Sequence, residues 1–252
     1  MSANSLVGKV IAITAASNGI GKATAELLAN KGALLVLNGL REEPLVQFTN
    51  ELKKEHGDKY TYIAGDVSQK STILKMVNLA VERFDHLDAF ISCAGAMHLS
   101  MLDQVNENEW KSIFDTNING LSNAIASALP IFQQQKNGHF ITVASTSAFK
   151  TVPLQTMYSA SKHAVRAIMD GLRQEVAPEI RSTIISPGVT ATEGAKNSMT
   201  KIQDSKARQQ MLDFVDTLGM DPAAVARCIV FALEQPPEIN IGEIVVRSSA
   251  HK

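Results

Sequence analysis

Short runs of apolar and β-branched residues recur along this chain and are separated by longer stretches of helical spacing. Strands this short that lack apolar/polar alternation must be covered on both faces, and the arrangement that does this repeatedly is a parallel sheet with helices on either side. The strand candidates are Lys9 to Thr14, Ala33 to Asn38, Tyr60 to Ala64, Leu87 to Ser92, His139 to Val143, Arg181 to Ser186 and Glu243 to Val246. Helical spacing marks Gly21 to Asn30, Glu43 to His56, Ser71 to Phe84, Asn108 to Gln135, Met157 to Val176 and Pro222 to Leu233. Gly32 and Gly57 follow two of these as C-terminal caps, and Asp221 with Pro222 opens the last in the favoured N-cap and N1 order. Gly120 and Pro130 fall inside the longest stretch and predict a kink or break there. The expected fold is therefore α/β and doubly wound, Rossmann-like, with a seven-stranded parallel sheet flanked by helices on both faces.

No linker, composition shift or internal repeat divides the chain, so a single domain is expected over residues 1–252. Residues 189–218 are polar and show no clear period; an irregular substrate lid is expected there, with Met199, Met211, Phe214 and Leu218 needing a surface to close against. Charge excludes some partners. With 24 Lys plus Arg against 25 Asp plus Glu, the net charge of −1 attracts neither nucleic acid nor an anionic membrane. Two cysteines, Cys93 and Cys228, are too few for a disulfide framework, and no ligand-spaced cluster suggests a metal. Residues Met1 to Lys9 hold no basic region followed by an apolar stretch, so a cytoplasmic location is expected.

Directly after the first strand, Thr14-Ala15-Ala16-Ser17-Asn18-Gly19-Ile20-Gly21 runs into a helix. Glycines in a strand–turn–helix let backbone N–H groups approach a phosphate, and the positive end of the helix stabilises it. The turn resembles the Thr-Gly-x-x-x-Gly-x-Gly turn of compact short-chain dehydrogenases/reductases, with Ala15 in place of the first glycine. The resemblance implies a dinucleotide held by Thr14, Ala16, Ser17, Asn18, Gly19, Ile20 and Gly21. The end of the second strand, Asn38-Gly39-Leu40-Arg41, has no acid to accept from a ribose 2′-hydroxyl, whereas Arg41 can pair with a 2′-phosphate. NADP (NADPH) is expected as cofactor, in preference to NAD. Gly65-Asp66-Val67 resembles the family's adenine step, implying contacts from Asp66 and Val67. Ser92-Cys93-Ala94-Gly95 resembles its Asn-Asn-Ala-Gly motif, altered at two positions, implying contacts from Cys93, Ala94 and Gly95.

Tyr158 and Lys162 stand four residues apart on an expected helix, so both project from one face. A neighbouring ammonium lowers a phenol's pKa, and Lys162, assisted by the oxidised nicotinamide, is expected to do this for Tyr158. Family spacing selects Ser145, ahead of Thr146 and Ser147, to hold a carbonyl oxygen, and Asn117, ahead of Asn119, to kink its helix and support a water beside the lysine. Pro187-Gly188-Val189 and Thr192 resemble the family's Pro-Gly motif, implying contacts to the nicotinamide carboxamide.

The resemblance runs in order from Thr14 to Thr192 and implies reversible hydride transfer between nicotinamide and a ketone or secondary alcohol, with Tyr158 as general acid and base. A 3-oxoacyl-thioester reductase and a catalytically silent NADP sensor are the alternatives. Ser145, Ser147, Val152, Met157, Tyr158 and Met199 are expected to face the substrate, and their mostly apolar character favours an uncharged one. Many members of the family form tetramers, which the resemblance extends to this chain as a homo-oligomer.

Overall fold

The computed structural model describes residues 6–104 and 106–250. Seven strands form one parallel sheet: β1 (Val10–Ile13), β2 (Leu34–Gly39), β3 (Tyr60–Ala64), β4 (Ala89–Ser92), β5 (Gly138–Val143), β6 (Ile180–Pro187) and β7 (Glu243–Val246), in the spatial order β3-β2-β1-β4-β5-β6-β7. The order reverses between β1 and β4, which opens a crevice at the carboxyl ends of the strands, the place where ligands bind in sheets of this type.

The helices that cover the sheet are α1 (Gly19–Asn30), α2 (Glu42–His56), α3 (Lys70–Phe84), α4 (Glu107–Phe114), α5 (Gly120–Gln135), α6 (Thr156–Val176), α7 (Glu193–Thr200), α8 (Ser205–Leu218) and α9 (Pro222–Leu233). Every residue of β1 is buried, but alternate ones go to opposite sides. Ile11 and Ile13 join Leu35 and Leu37 beneath Leu28 of α1, Phe48 of α2 and Ile229 of α9. Val10, Ala12 and Val36 face Met76 of α3, Phe132 of α5 and Met169 of α6. This two-sided burial explains the absence of polar alternation in the sequence.

Two expectations need correction. The kink or break expected at Gly120 and Pro130 is found only beside the first: a π-helical turn, Asp115–Asn119, joins α4 to α5 directly before Gly120, whereas Pro130 is accommodated within α5. Residues 189–218 are not irregular. They contain α7, capped by the Thr192 hydroxyl accepting from the Ala195 N–H at 3.1 Å, and α8, capped by the Asp204 carboxylate accepting from the Ala207 N–H at 2.6 Å. Met211 and Val215, one turn apart on α8, pack with Met199, Ile202 and Leu99 in a third apolar cluster, so a helical period was present among the polar residues. No helix among the described residues is long and apolar enough to cross a membrane, and none of their His, Cys, Asp and Glu side chains group to hold a metal ion.

Candidate active site

A cavity of about 570 Å³ opens at the carboxyl ends of the strands. It brings together Asn18, Gly19, Ile20 and Gly21 from the turn after β1, Cys93 and Gly95 from the turn after β4, and Ser145 and Ser147 after β5. Tyr158 and Lys162 enter it from α6, Pro187, Gly188, Val189 and Thr192 from the end of β6 and the turn after it, and Val152 and Met199 also line it.

The turn after β1 leaves no room for larger residues. A Cβ on Gly21 would lie 2.3 Å from the Ala15 carbonyl oxygen, and Gly19, at φ +52°, would place one 3.1 Å from the Thr192 methyl. Ala15 itself has φ +52°, a left-handed conformation that disfavours an L side chain. The family's first glycine is thus replaced with the backbone shape retained. No side chain caps α1 at Asn18 and no acid lies in its first turn, so the N–H groups and positive end of the helix face the cavity. These features fit the phosphates of a dinucleotide.

Thr14 has a different place from the one expected. Its buried hydroxyl accepts from the Cys93 and Ala94 N–H groups, both at 3.0 Å, and thereby ties the turn after β4 to β1. With Val67, Ala94, Asn117 and Lys162 it lines a separate crevice of about 10 Å³. Ala16 is also not a wall of the cavity: it is fully buried and its N–H donates to the Asn38 carbonyl at 2.7 Å. Ser17 lies beyond it, its hydroxyl 3.0 Å from where Gly39 would carry a Cβ. Asp66 is exposed and accepts from the Ser68 N–H at 2.8 Å. Arg41 is exposed at the start of α2. Met157 lies outside the cavity although Tyr158 lines it, because neighbouring helical residues point about 100° apart.

The chemistry is concentrated around α6. Lys162 is 4% exposed and its ammonium donates to the Val143 carbonyl at 2.9 Å, while standing 5.7 Å from the centre of the Tyr158 ring. Burial pulls its pKa down to about 8, against a small opposing effect of the Cys93 thiol. Burial likewise pushes Cys93 up to about 12 and makes it a neutral thiol at physiological pH. The Tyr158 phenol is raised above its ordinary value by burial, and the opposing influence is a hydrogen bond with Ser145. In the protein alone desolvation of the phenol prevails and the lysine's hydrogen bond goes to Val143; the acidification expected of Lys162 concerns the site with nicotinamide bound.

Asn117 sits buried on the π-turn. Its Oδ1 accepts from the Ala96 N–H at 2.7 Å, and its Nδ2 donates to the Ala96 carbonyl at 3.0 Å and to the Ser161 hydroxyl at 2.9 Å. Ser161 donates in turn to the Tyr158 carbonyl at 2.7 Å, so Asn117 links the turn after β4 to the helix that carries tyrosine and lysine. Ser145 is buried just after β5; its hydroxyl accepts from the Ser147 N–H at 3.1 Å and its own O–H is directed to the Tyr158 phenol. A carbonyl oxygen placed between Ser145 and Tyr158 would meet two hydroxyl donors. The sequence reasoning missed Lys150, Gln155, Ser198 and Arg247, all of which line the cavity. The signal for Arg247 was its place immediately after β7, at the carboxyl edge of the sheet where ligands gather.

Comparisons with known proteins agree with this architecture. The family model described as short chain dehydrogenase matches residues 9–203. A protein of Listeria monocytogenes described as an uncharacterized oxidoreductase is 39% identical over 241 residues, covering 94% of this chain and 95% of that protein. Another from Staphylococcus saprophyticus is 35% identical over 250 residues, 98% of each. Among solved structures, levodione reductase superposes with a TM-score of 0.88 at 24% identity, over 98% of this chain and 100% of that one. An alcohol dehydrogenase from Thermococcus sibiricus complexed with 5-hydroxy-NADP gives 0.85 at 24% identity, over 97% and 98%. From the glycine turn through the helix bearing Tyr158 and Lys162, this chain belongs to the short chain dehydrogenase family of oxidoreductases.

Proposed function

We propose that the protein is an NADP-dependent carbonyl reductase and alcohol dehydrogenase. The observation that carries this reading is that a single cavity holds a phosphate-sized glycine turn at one end and Ser145, Tyr158 and Lys162 at the other. The turn from Asn18 to Gly21 would hold the dinucleotide phosphates, and Val189 and Thr192 the carboxamide. A nicotinamide cofactor bound there supplies the hydride donor or acceptor. Ser145 orients the substrate oxygen. Tyr158, held neutral by its raised pKa, carries the proton at Oη that passes to this oxygen during reduction and returns from the alcohol during oxidation. Lys162, still protonated near pH 7, offsets the charge that develops on the phenol, and Asn117 holds α6 in register with the turn after β4. Helices α7 and α8 serve as the lid of one continuous domain.

NADP is favoured over NAD because β2 ends without a carboxylate. The Asn38 amide is committed to the Ile63 and Gly65 carbonyls, both at 3.0 Å, and Arg41 enters no ion pair among the described residues. Glu42 and Glu43 follow in the first turn of α2, which makes the cofactor comparison informative. The test follows loss of reduced-cofactor absorbance with NADPH or NADH and a panel of ketones. Turnover should be faster with NADPH, and Tyr158→Phe should lose at least about 100-fold. Undiminished turnover in Tyr158→Phe overturns the chemistry, and equal or better rates with NADH overturn the role of Arg41.

A further inference from the structure

Gln155 stands where the chain enters α6, just ahead of Tyr158. An N-cap residue ordinarily gives a short polar side chain to the first N–H groups of its helix, and Gln155 makes no such bond. Its side chain reaches instead to the turn after β5, where Oε1 accepts from the Ser147 hydroxyl at 2.9 Å. Both residues line the cavity, and the Gln155 Nε2 enters no hydrogen bond among the described residues. Residues 149–153, which join the two ends of this contact, are all exposed, and Leu154 turns the chain at φ +69°. The Ser147–Gln155 bond therefore clasps an exposed loop at its base.

Two further hydrogen bonds connect the clasp to the chemistry. Within the 3-10 turn Thr146–Ala148, the Ser147 N–H donates to the Ser145 hydroxyl at 3.1 Å, and Ser145 in turn shares a hydrogen bond with the Tyr158 phenol. A serine hydroxyl has one proton to donate and lone pairs that accept. Ser147 gives its proton to Gln155 and has none left for a substrate oxygen. Ser145, with one lone pair taken by the Ser147 N–H, turns its proton toward Tyr158 and the place a carbonyl oxygen would occupy. Without Gln155, the Ser147 hydroxyl is released to rotate onto Ser145 or onto the substrate oxygen, and competes for the position that Ser145 holds.

We infer that Gln155 is a positioning residue for the proposed reaction: by holding the Ser147 hydroxyl it fixes the N–H that aims the Ser145 proton at the reacting oxygen. The inference rests on the oxidoreductase reading, and Gln155 acts through Ser147 and Ser145 without touching the substrate. A hydroxyl donor weakens steeply as its angle departs from linear, so a misdirected Ser145 loses stabilisation of the charge that develops on the substrate oxygen. The rest of the cavity goes on binding the substrate. The loss therefore falls on kcat and leaves KM nearly unchanged.

The experiment is a double-mutant cycle on Gln155→Met and Ser147→Ala, with kcat and KM measured across pH for ketone reduction and for oxidation of the product alcohol. Each single variant should lower kcat about 3- to 10-fold with KM within about twofold of the wild type. The double variant should be no slower than the worse single one, because either change breaks the same bond. The Ser145 bond holds the Tyr158 phenol down, so loosening it raises the pKa, and the limb of alcohol oxidation that rises with pH should move upward by about half a unit or more. If Gln155→Met fails to fold, Ser147→Ala decides by the same kcat and pH criteria. A rise in KM at unchanged kcat would mean that Gln155 contacts the substrate directly and overturns the inference. So do losses that multiply in the double variant, or kcat within twofold of the wild type in both single ones. If the wild type turns over no ketone or alcohol, the proposed function fails and the inference with it, whereas wild-type turnover with unaffected variants overturns the inference alone.

Discussion

Replacing Thr14 by valine tests whether the turn after β4 is held by a single hydroxyl. Valine keeps the volume and branching of threonine and replaces the hydroxyl, donor and acceptor together, by a methyl. The structure gives that acceptor two partners, the Cys93 and Ala94 N–H groups, each at 3.0 Å, and the side chain is 2% exposed. A buried N–H left without a partner costs about 1–3 kcal/mol, so two cost about 2–6 kcal/mol. The adjoining crevice of about 10 Å³ is at the lower limit for one water molecule, which can restore at most part of the loss. The expected destabilisation is therefore about 2–4 kcal/mol, read from urea unfolding at unchanged slope. Thr14→Ser, which keeps the hydroxyl and loses a methyl, should cost about 1 kcal/mol. If Thr14→Val unfolds within 0.5 kcal/mol of the wild type (about the smallest difference such curves resolve), the hydroxyl is not what holds this turn.

Three further outcomes follow from particular residues. Ala15→Gly should relieve the left-handed conformation and raise Tm by about 2 °C, whereas Ala15→Val should lower it by several degrees; the reverse order in thermal scans would contradict the assigned strain. His139 is buried with Nδ1 lacking a partner and its pKa held well below the ordinary value by burial and by Arg181, so the unfolded chain takes up the proton first; the stability it confers is complete above about pH 6.5 and is lost as pH falls, and His139→Gln should flatten the acid limb of stability against pH. Lys162, buried with a pKa near 8, is costly while charged; the wild type should gain up to about 3 kcal/mol relative to Lys162→Met as pH rises from about 8 to 10.5, measured by denaturant unfolding at each pH.

Much of the fold was legible because its strands are buried on both faces, which strips them of polar residues, and because Gly57 and the Asp221-Pro222 pair punctuate their helices as local chemistry requires. The Tyr158–Lys162 pair was legible for the same local reason: four residues on a helix define one face. Other parts depended on distant segments. Met157 was misplaced because adjacency in sequence was read as adjacency in space. The helix around Met211 and Val215 was hidden by the polar residues on its outer side. Arg247 and Lys150 lie nearly a hundred residues apart and share a cavity only because β5, β6 and β7 run side by side. The rise of the Tyr158 phenol in the protein alone was not legible because spacing reports which groups are near, whereas burial, which spacing does not report, sets this direction.

The π-turn at Asp115–Asn119 contains one more residue than an α-helical path between α4 and α5 requires. Excising any one of these residues would let α4 and α5 run on as one regular α-helix while the buried face of α5 stays on the sheet. The backbone gains regular hydrogen bonding by that loss, yet the amide of Asn117 swings away from Ala96 and Ser161. A deletion scan across this region should thus yield proteins that fold and have lost their chemistry, the opposite of what shortening a helix ordinarily does.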